Sequence, residues 1–251
     1  MREDTFNILS YLLPILKGDF FMSNNREKTS NSIRKIIVVA VFAAMAYVIH
    51  FVRVPVSFLS LDFKDVIMTI AGMYFGPAVG ALLSVLVPLL EYPTSETGLY
   101  GLIMNILSSG AFVIAASLIY KFKKTFSGAI VALCSACMSM IAVMILANLI
   151  ITPYYMSAAG ITQHDIVKMI PTLLLPFNAV KAVLNASFTL CLYKPVSRVL
   201  KRSGFGTNKS VQQPENNNTL RSVLVWIIGG AIAIAALCII FFVLGGKITF
   251  K

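Results

Sequence analysis

The fold of this chain depends on residues 66–90, which read VIMTIAGMYFGPAVGALLSVLVPLL. The stretch is long enough to cross a membrane once, since about 20 apolar residues span a bilayer as a helix. Gly76 and Pro77 interrupt it, and glycine loosens a helix while proline removes a backbone donor. The stretch therefore predicts either one long helix or two shorter helices that meet at Gly76-Pro77.

The charges around this stretch favour two helices. Basic residues before the first apolar run, including Arg34 and Lys35, place the N-terminus in the cytoplasm under the positive-inside rule. If residues 66–90 crossed once, the later basic clusters would lie outside, whereas two crossings place them all inside. Those cations are Lys121, Lys123, Lys124, Lys194, Arg198, Lys201 and Arg202. We therefore expect two crossings.

The composition agrees with a membrane protein. Of the 251 residues, 58% are hydrophobic and 12% are charged, and the mean hydropathy of +0.84 exceeds what a soluble domain tolerates. The net charge of +11 comes from short clusters between apolar runs. This pattern is typical of cytoplasmic loops in a lipid bilayer and argues against nucleic-acid binding.

The chain divides into four segments. A polar cytoplasmic segment covers residues 1–32, within which Met22 is a candidate second start. Apolar runs at 33–52, 101–120, 128–151 and 170–193 join the two helices of 66–90 in a six-helix membrane domain at residues 33–200. A flexible linker is predicted at 203–219 and one additional transmembrane helix at 222–246. The predicted fold class is an all-α integral membrane protein with six helices plus one.

Polar groups inside the predicted spans are candidate functional groups, because they are costly there. Lys181 is the only charged residue deep in a predicted span, and Asn178 shares its helix face three residues earlier. Asn148 lies near the outer end of its run. Snorkelling of Lys181 to the outer surface and bonding of the two amides between helices are the alternative interpretations.

Two more polar residues adjoin the same outer halves. Glu91 directly follows the stretch 66–90, and Asn105 lies one turn into the next run. Together these groups predict an outward-facing cavity with one cation and several amides. Such a cavity suits a largely neutral ligand held by apolar walls and a few hydrogen bonds.

Small residues recur every four positions in two places. Gly72, Gly76 and Gly80 form one series, and Ala40 and Ala44 form another in the first run. This spacing lets helices approach closely. We interpret the glycines as internal packing, and the alanines as either internal packing or a contact with a second membrane protein.

The segment between the first two spans, residues 52–64, reads VRVPVSFLSLDFK. It alternates apolar and polar residues and contains Pro55. We predict a lid that folds over the mouth of the cavity.

Other motifs predict no chemistry. Cys134 and Cys137 have metal-ligand spacing but lie mid-span without a second ligand pair, so packing is favoured. Around His50 and His164, no carboxylate or cysteine is placed in the sequence so as to suggest a metal site or a catalytic triad, and both histidines are predicted to have surface roles. No phosphate-binding glycine loop occurs, so we expect no ATP hydrolysis by this chain, no catalytic residues and no metal site.

Residues from about 33 to 200 resemble the substrate-binding membrane subunit, or S component, of energy-coupling-factor (ECF) vitamin importers. The resemblance is to the riboflavin-specific branch. It is carried by five segments in a specific order: LSLDFKD at 59–65, FGPAVG at 75–80, GLIMN at 101–105, NLIITPYY at 148–155 and PFNAVK at 176–181.

The resemblance implies a six-helix bundle in the bacterial cell membrane that captures riboflavin from outside. Delivery would require a transmembrane coupling subunit and two ATPase subunits, with no cofactor other than the transported ligand. Ala40 and Ala44 would contact the coupling subunit. The implied substrate-binding residues are Asn148, Asn178, Lys181, Glu91, Asn105, Phe58, Leu61 and Tyr155.

Three alternatives stay open at the level of sequence. The nearest is an S component for another vitamin, such as pantothenate, thiamine or folate, although a doubly anionic folate should need more cations than Lys181. A membrane-embedded lipid-modifying enzyme would need converging carboxylates, histidines or a metal motif. A structural or regulatory membrane protein would make Lys181 incidental.

Overall fold

The structure is a computed structural model. It describes residues 19–56, 59–94, 98–156, 160, 162–202, 229–232, 234–236, 238–239 and 249–250. The chain divides at Val41 into two compact units. The first contains the N-terminal part of the first helix, and the second, from Phe42 onward, contains the helices and strands that form the cavity described below.

The described elements are mainly helices. In chain order they are α1 (Asp19–His50), β1 (Val52–Val56), β2 (Leu59–Asp62), α2 (Lys64–Phe75), α3 (Pro77–Glu91), a 3-10 turn (Tyr92–Thr94), α4 (Gly98–Phe122), α5 (Phe126–Met156), α6 (Gln163–Met169), a π-helical turn (Ile170–Leu174), α7 (Leu175–Arg202) and β3 (Thr249–Phe250).

The helix break predicted at Gly76-Pro77 is confirmed. Gly76 separates α2 from α3 with φ of 110°, a left-handed value that favours glycine, and Pro77 occupies the first turn of α3, where its missing N–H costs nothing. The two helices pack closely, since a Cβ added at Gly72 would lie 3.1 Å from the Cα of Gly80. Gly72 and Gly80 therefore serve internal packing, as the sequence predicts, whereas a Cβ added at Gly76 would meet no atom within 4 Å.

Four helices of the second unit form a closed ring. Helix α4 packs against α2 and α5, and α7 packs against α5 and α2, while α3 lies against α2 and α4. The middle of the ring is filled by an apolar cluster that includes Phe112, Met140 and Ala182. Beyond it, near the C-terminal ends of α4 and α7, the hydroxyls of Tyr120 and Tyr193 are hydrogen-bonded to each other. The cavity described below lies toward the other end of the ring.

Within the described residues, four helical segments are long and apolar enough to cross a membrane: Pro77–Thr94, Gly98–Phe122, Phe126–Tyr154 and Gln163–Leu200. A shorter apolar helix covers Ile36–His50. The prediction of a multi-pass helical membrane protein is confirmed at this level.

The described helices overlap the predicted segments at both ends of the membrane domain. Helix α1 begins at Asp19, inside the segment predicted to be polar and cytoplasmic. The linker at 203–219 lies outside the described residues. Of the helix at 222–246, the structure describes 229–232, 234–236 and 238–239, and a Cβ at Gly229 would contact the sulfur of Cys191 in α7.

The segment predicted as a lid contains two antiparallel strands. Val54 pairs with Leu61 and Pro55 with Ser60, and β3 adds a third strand on the other side of β1, with Phe250 opposite Val52. Sequence analysis predicted only a loop here, although the alternation of apolar and polar residues is the usual strand signal. The hairpin lies between α1 and α2 and brings β2 to the open end of the ring.

Candidate functional site

A cavity occupies the end of the ring where α4 and α7 begin and α5 ends. Its empty space is about 710 Å³, a figure that includes the open mouth. The lining residues come from β2, α4, α5 and α7. They are Leu59, Ser60, Tyr100, Gly101, Met104, Asn105, Ser108, Met144, Asn148, Ile151, Thr152, Phe177, Asn178 and Lys181.

Two buried amides, Asn148 of α5 and Asn178 of α7, line this cavity. Asn148 Nδ2 donates to the Met144 carbonyl oxygen at 2.7 Å, and Asn178 Nδ2 donates to the Leu174 carbonyl oxygen at 2.7 Å. Asn148 Oδ1 also accepts a hydrogen bond from Thr152 Oγ1 at 2.9 Å. Among the described residues, these bonds join each amide only to residues four positions away in the chain, contrary to the alternative of bonding between helices. Because an amide group has two N–H donors and two acceptor lone pairs, each side chain keeps capacity for a ligand.

Lys181 lies on the same face of α7, one turn after Asn178. The residue is only 5% exposed, and its Nζ is 3.5 Å from Asp62 Oδ2. The ammonium group is therefore buried and paired, and the snorkelling alternative is wrong.

Lys181 lines the cavity and also belongs to a network of buried charges. Asp62 Oδ2 also lies 3.9 Å from Lys64 Nζ, and Lys64 forms a short ion pair with Glu91. His50 Nδ1 lies 3.1 Å from Glu91 Oε1. His50 is buried and paired with Glu91, so the surface role predicted for it is wrong. The sequence does not indicate this pairing, because Glu91 is distant from position 50 along the chain.

The network is close to electrical balance. Two ammonium groups, from Lys64 and Lys181, compensate the carboxylates of Asp62 and Glu91, and such pairing is what permits charges to be buried. Asp62 lies in β2, outside the spanning helices. Burial alone would raise the pKa of its carboxyl, but the charges of Lys181 and Lys64 outweigh burial and hold the pKa below its ordinary value.

A separate buried carboxylate joins three helices. Asp65 in α2 accepts hydrogen bonds from Ser109 Oγ of α4 at 2.6 Å and from Asn185 Nδ2 of α7 at 3.1 Å. Together with Asp62 and Lys64, it corrects the expectation that Lys181 is the only deeply placed charge. The signal was three charges within residues 62–65, directly before an apolar helix.

The remaining predicted site residues are placed differently. Asn105 lines the cavity, and its Nδ2 is 3.4 Å from Glu91 Oε2. Glu91 itself, predicted to bind substrate, is not among the lining residues of the cavity. Leu61 packs into an apolar cluster with Phe177 and Leu184 and is not among the lining residues. Phe58 and the side chain of Tyr155 lie outside the described residues.

Ala40 and Ala44 are not among the lining residues of the cavity. Both residues are exposed on α1. Their exposure leaves them accessible to another molecule, and their contact with a coupling subunit stays a prediction.

Sequence reasoning missed several lining residues, of which Ser108 is the most informative. Its residue is 3% exposed, and its Oγ has no hydrogen-bond partner among the described residues. A buried hydroxyl without a partner is costly. Ser108 therefore offers an available donor and acceptor in the cavity wall, and only the fold shows that it faces the cavity rather than a neighbouring helix.

Within the described part of the chain, no group of three or more histidines, cysteines or carboxylates is arranged to hold a metal ion. Cys137 Sγ lies 3.4 Å from the Ala182 carbonyl oxygen of α7, to which it donates a weak hydrogen bond. Cys134 and Cys137 are both free thiols. This arrangement agrees with the predicted packing role for Cys137, whereas Cys134 is exposed.

Comparison with known proteins identifies relatives of this cavity-forming region. Residues 34–193 match the family model described as "ECF transporter, substrate-specific component". Every lining residue of the cavity lies inside the matched region.

Two characterised relatives align over most of their own length. The chain is 27% identical over 188 residues to the riboflavin transporter RibU of Staphylococcus aureus (strain TCH60), covering 72% of this chain and 100% of the relative. It is 24% identical over 174 residues to the riboflavin transporter FmnP of Bacillus subtilis (strain 168), covering 64% and 92%.

A solved structure, described as "Structure and mechanism of the S component of a bacterial ECF transporter", has the same fold. It superposes with a TM-score of 0.58 at 26% identity and covers 68% of this chain and 99% of that one.

Proposed function

Because this chain belongs to the family of ECF transporter substrate-specific components, a family of transporter subunits rather than enzymes, we propose that its cavity captures riboflavin. The observation that carries the proposal is the convergence of two buried amides and one lysine on a single apolar-walled cavity.

The chemistry of riboflavin suits this wall. The isoalloxazine ring is flat and largely apolar, with carbonyl oxygens and ring nitrogens along one edge, and the ribityl chain carries hydroxyls. Met104, Met144, Ile151 and Phe177 supply apolar surface. The amides can both donate to and accept from the polar edge, while Lys181 donates to a carbonyl oxygen. An uncharged ligand also leaves the balance of the buried charge network unchanged.

The distribution of cations supports an outward-facing cavity. Tyr100 and Lys181 lie in the first two turns of α4 and α7, whereas Lys121 and Arg198 lie in the last turns of the same two helices. The positive-inside rule places the basic ends in the cytoplasm. The cavity then faces outward, and the N-terminus is cytoplasmic. In this arrangement, α1 to α5 each cross the membrane once, α6 and α7 together make the sixth crossing, and a seventh follows near the C-terminus.

Inward delivery requires partners. The chain would assemble with an ECF coupling subunit and two ATPases, and the exposed Ala40 and Ala44 of α1 would allow close approach of the coupling subunit. ATP-driven movement of the partners would expose the cavity inward. A bound ligand shifts such an equilibrium only through different affinities for the two states.

We expect Asn148→Ala and Asn178→Ala each to weaken riboflavin binding by about 3- to 10-fold, the usual effect of losing one neutral hydrogen bond. Fluorescence quenching of riboflavin by purified protein in mild detergent measures the dissociation constant. Asn185→Ala is the matched control, because this amide is equally buried but bonds to Asp65 outside the cavity. Equal losses in all three variants would contradict the assignment of Asn148 and Asn178 to the ligand.

A further inference from the structure

We propose that Asp62 is a positioning residue for ligand binding, which fixes the ammonium group of Lys181 at the cavity wall when the β1–β2 hairpin is docked. The inference rests on the proposed function, because its effect on binding is exerted through Lys181. Asp62 itself is not among the lining residues of the cavity.

The first argument is the geometry of the pair. Asp62 Oδ2 lies 3.5 Å from Lys181 Nζ across 119 residues of sequence, and both side chains are almost fully buried. A buried ammonium group must be paired to keep its charge. Asp62 provides this pairing from the strand, so the position and charge of the Lys181 head group depend on the hairpin.

The second argument is that the neighbouring carboxylates are already engaged. Glu91 is paired with Lys64 and His50. Asp65 accepts hydrogen bonds from Ser109 and Asn185. Within the described residues, Asp62 is therefore the carboxylate whose contact fixes Lys181.

The third argument is where Asp62 lies. It is the last residue of β2, and the same strand contributes Leu59 and Ser60 to the cavity lining. Movement of the strand away from α7 would separate Asp62 from Lys181 and remove part of the cavity wall at the same time. Docking of the hairpin and orientation of the lysine are thus one event, and a ligand that accepts a hydrogen bond from Lys181 favours the docked state.

A double-mutant cycle on the riboflavin dissociation constant tests this inference. We expect Asp62→Asn to weaken binding by about 10- to 100-fold in the wild-type background, the effect of losing a charge-assisted contact. In a K181M background, the same substitution should change the affinity by less than about 3-fold, because the group that it positions is gone. Asp62→Glu, which keeps the charge, should restore a large part of the affinity.

The controls separate this role from a purely structural one. Asp165→Asn changes a carboxylate in the segment before α7 that bonds to Thr162 and lies outside the cavity, and it should leave the dissociation constant unchanged. Size-exclusion profiles and the melting temperature of ligand-free protein report folding, and Asp62→Glu keeps the test informative if Asp62→Asn does not fold.

Two results would overturn the inference, and they are distinguishable. Wild-type protein that does not bind riboflavin would remove the proposed function and this inference with it. Wild-type protein that binds, combined with equal losses from Asp62→Asn in both backgrounds, would remove the positioning role alone.

Discussion

Lys181→Met is expected to weaken riboflavin binding by about 10- to 150-fold, the range for losing a hydrogen bond from a charged group. Methionine keeps most of the length of the side chain but cannot donate, so the polar edge of the ligand loses its cationic partner. The substitution also leaves Asp62, which is 2% exposed, without its cavity-side counter-ion. Titration of flavin fluorescence with purified protein measures the change.

Lys168→Met is the matched control for this variant. Lys168 is exposed at the end of α6, and it does not line the cavity. Its replacement should leave the affinity unchanged. Equal affinities for the Lys181→Met and wild-type proteins would mean that Lys181 does not contact the ligand, and they would favour a structural role for the whole charge network.

Lys64→Met is expected to cause the largest loss of stability. Lys64 is fully buried and is the ion-pair partner of Glu91, with Asp62 3.9 Å away. Removing it leaves a buried carboxylate uncompensated, which typically costs about 3–5 kcal/mol of the free energy of unfolding. For a chain of this size, that corresponds to a drop on the order of 10 °C in melting temperature.

The thermal unfolding of detergent-solubilised protein without ligand measures this loss. Lys168→Met again serves as the control, since an exposed charge contributes little. Because Lys64 is not among the cavity lining residues, folded Lys64→Met protein should lose less affinity for riboflavin than Lys181→Met. A melting temperature equal to that of the wild type would contradict the view that these buried charges depend on Lys64.

The cavity could be predicted in part because polar residues inside apolar runs are few. Asn178 and Lys181 lie three residues apart on one helix, so helical periodicity alone places them on a common face. Asn148 is recognisable by its cost in a span. These inferences require only local sequence, and the structure brings all three residues to one cavity.

The charge network could not be predicted in the same way. Apart from Lys181, its members lie at the ends of apolar runs, where a charged residue is ordinarily exposed. Asp62 and Lys181 are 119 residues apart, and His50 meets Glu91 only because α1 and α3 end at the same level. Pairing between such positions depends on how the helices pack, which a single sequence does not specify.

The hairpin illustrates a different difficulty. Residues 52–62 alternate in polarity, but the segment is short, contains Pro55 and is surrounded by helices, so a loop was the natural interpretation. β1 is the middle strand of the sheet, but β3 pairs only with Val52 and Arg53, so no described strand needs a ladder donor from Pro55 on that side. In the paired strand β2, Ser60 lines the cavity and Leu61 packs in an apolar cluster with Phe177.

The most direct test of the central claim is the binding stoichiometry of riboflavin on the wild-type protein. We would purify the full chain in mild detergent, remove any co-purified flavin and titrate it with riboflavin while following fluorescence quenching, with thiamine and pantothenate as competitors. We expect saturation at one riboflavin per chain, unaffected by the competitors. A folded, monodisperse protein that shows neither co-purified flavin absorption nor saturable quenching would contradict the assignment of riboflavin to this cavity.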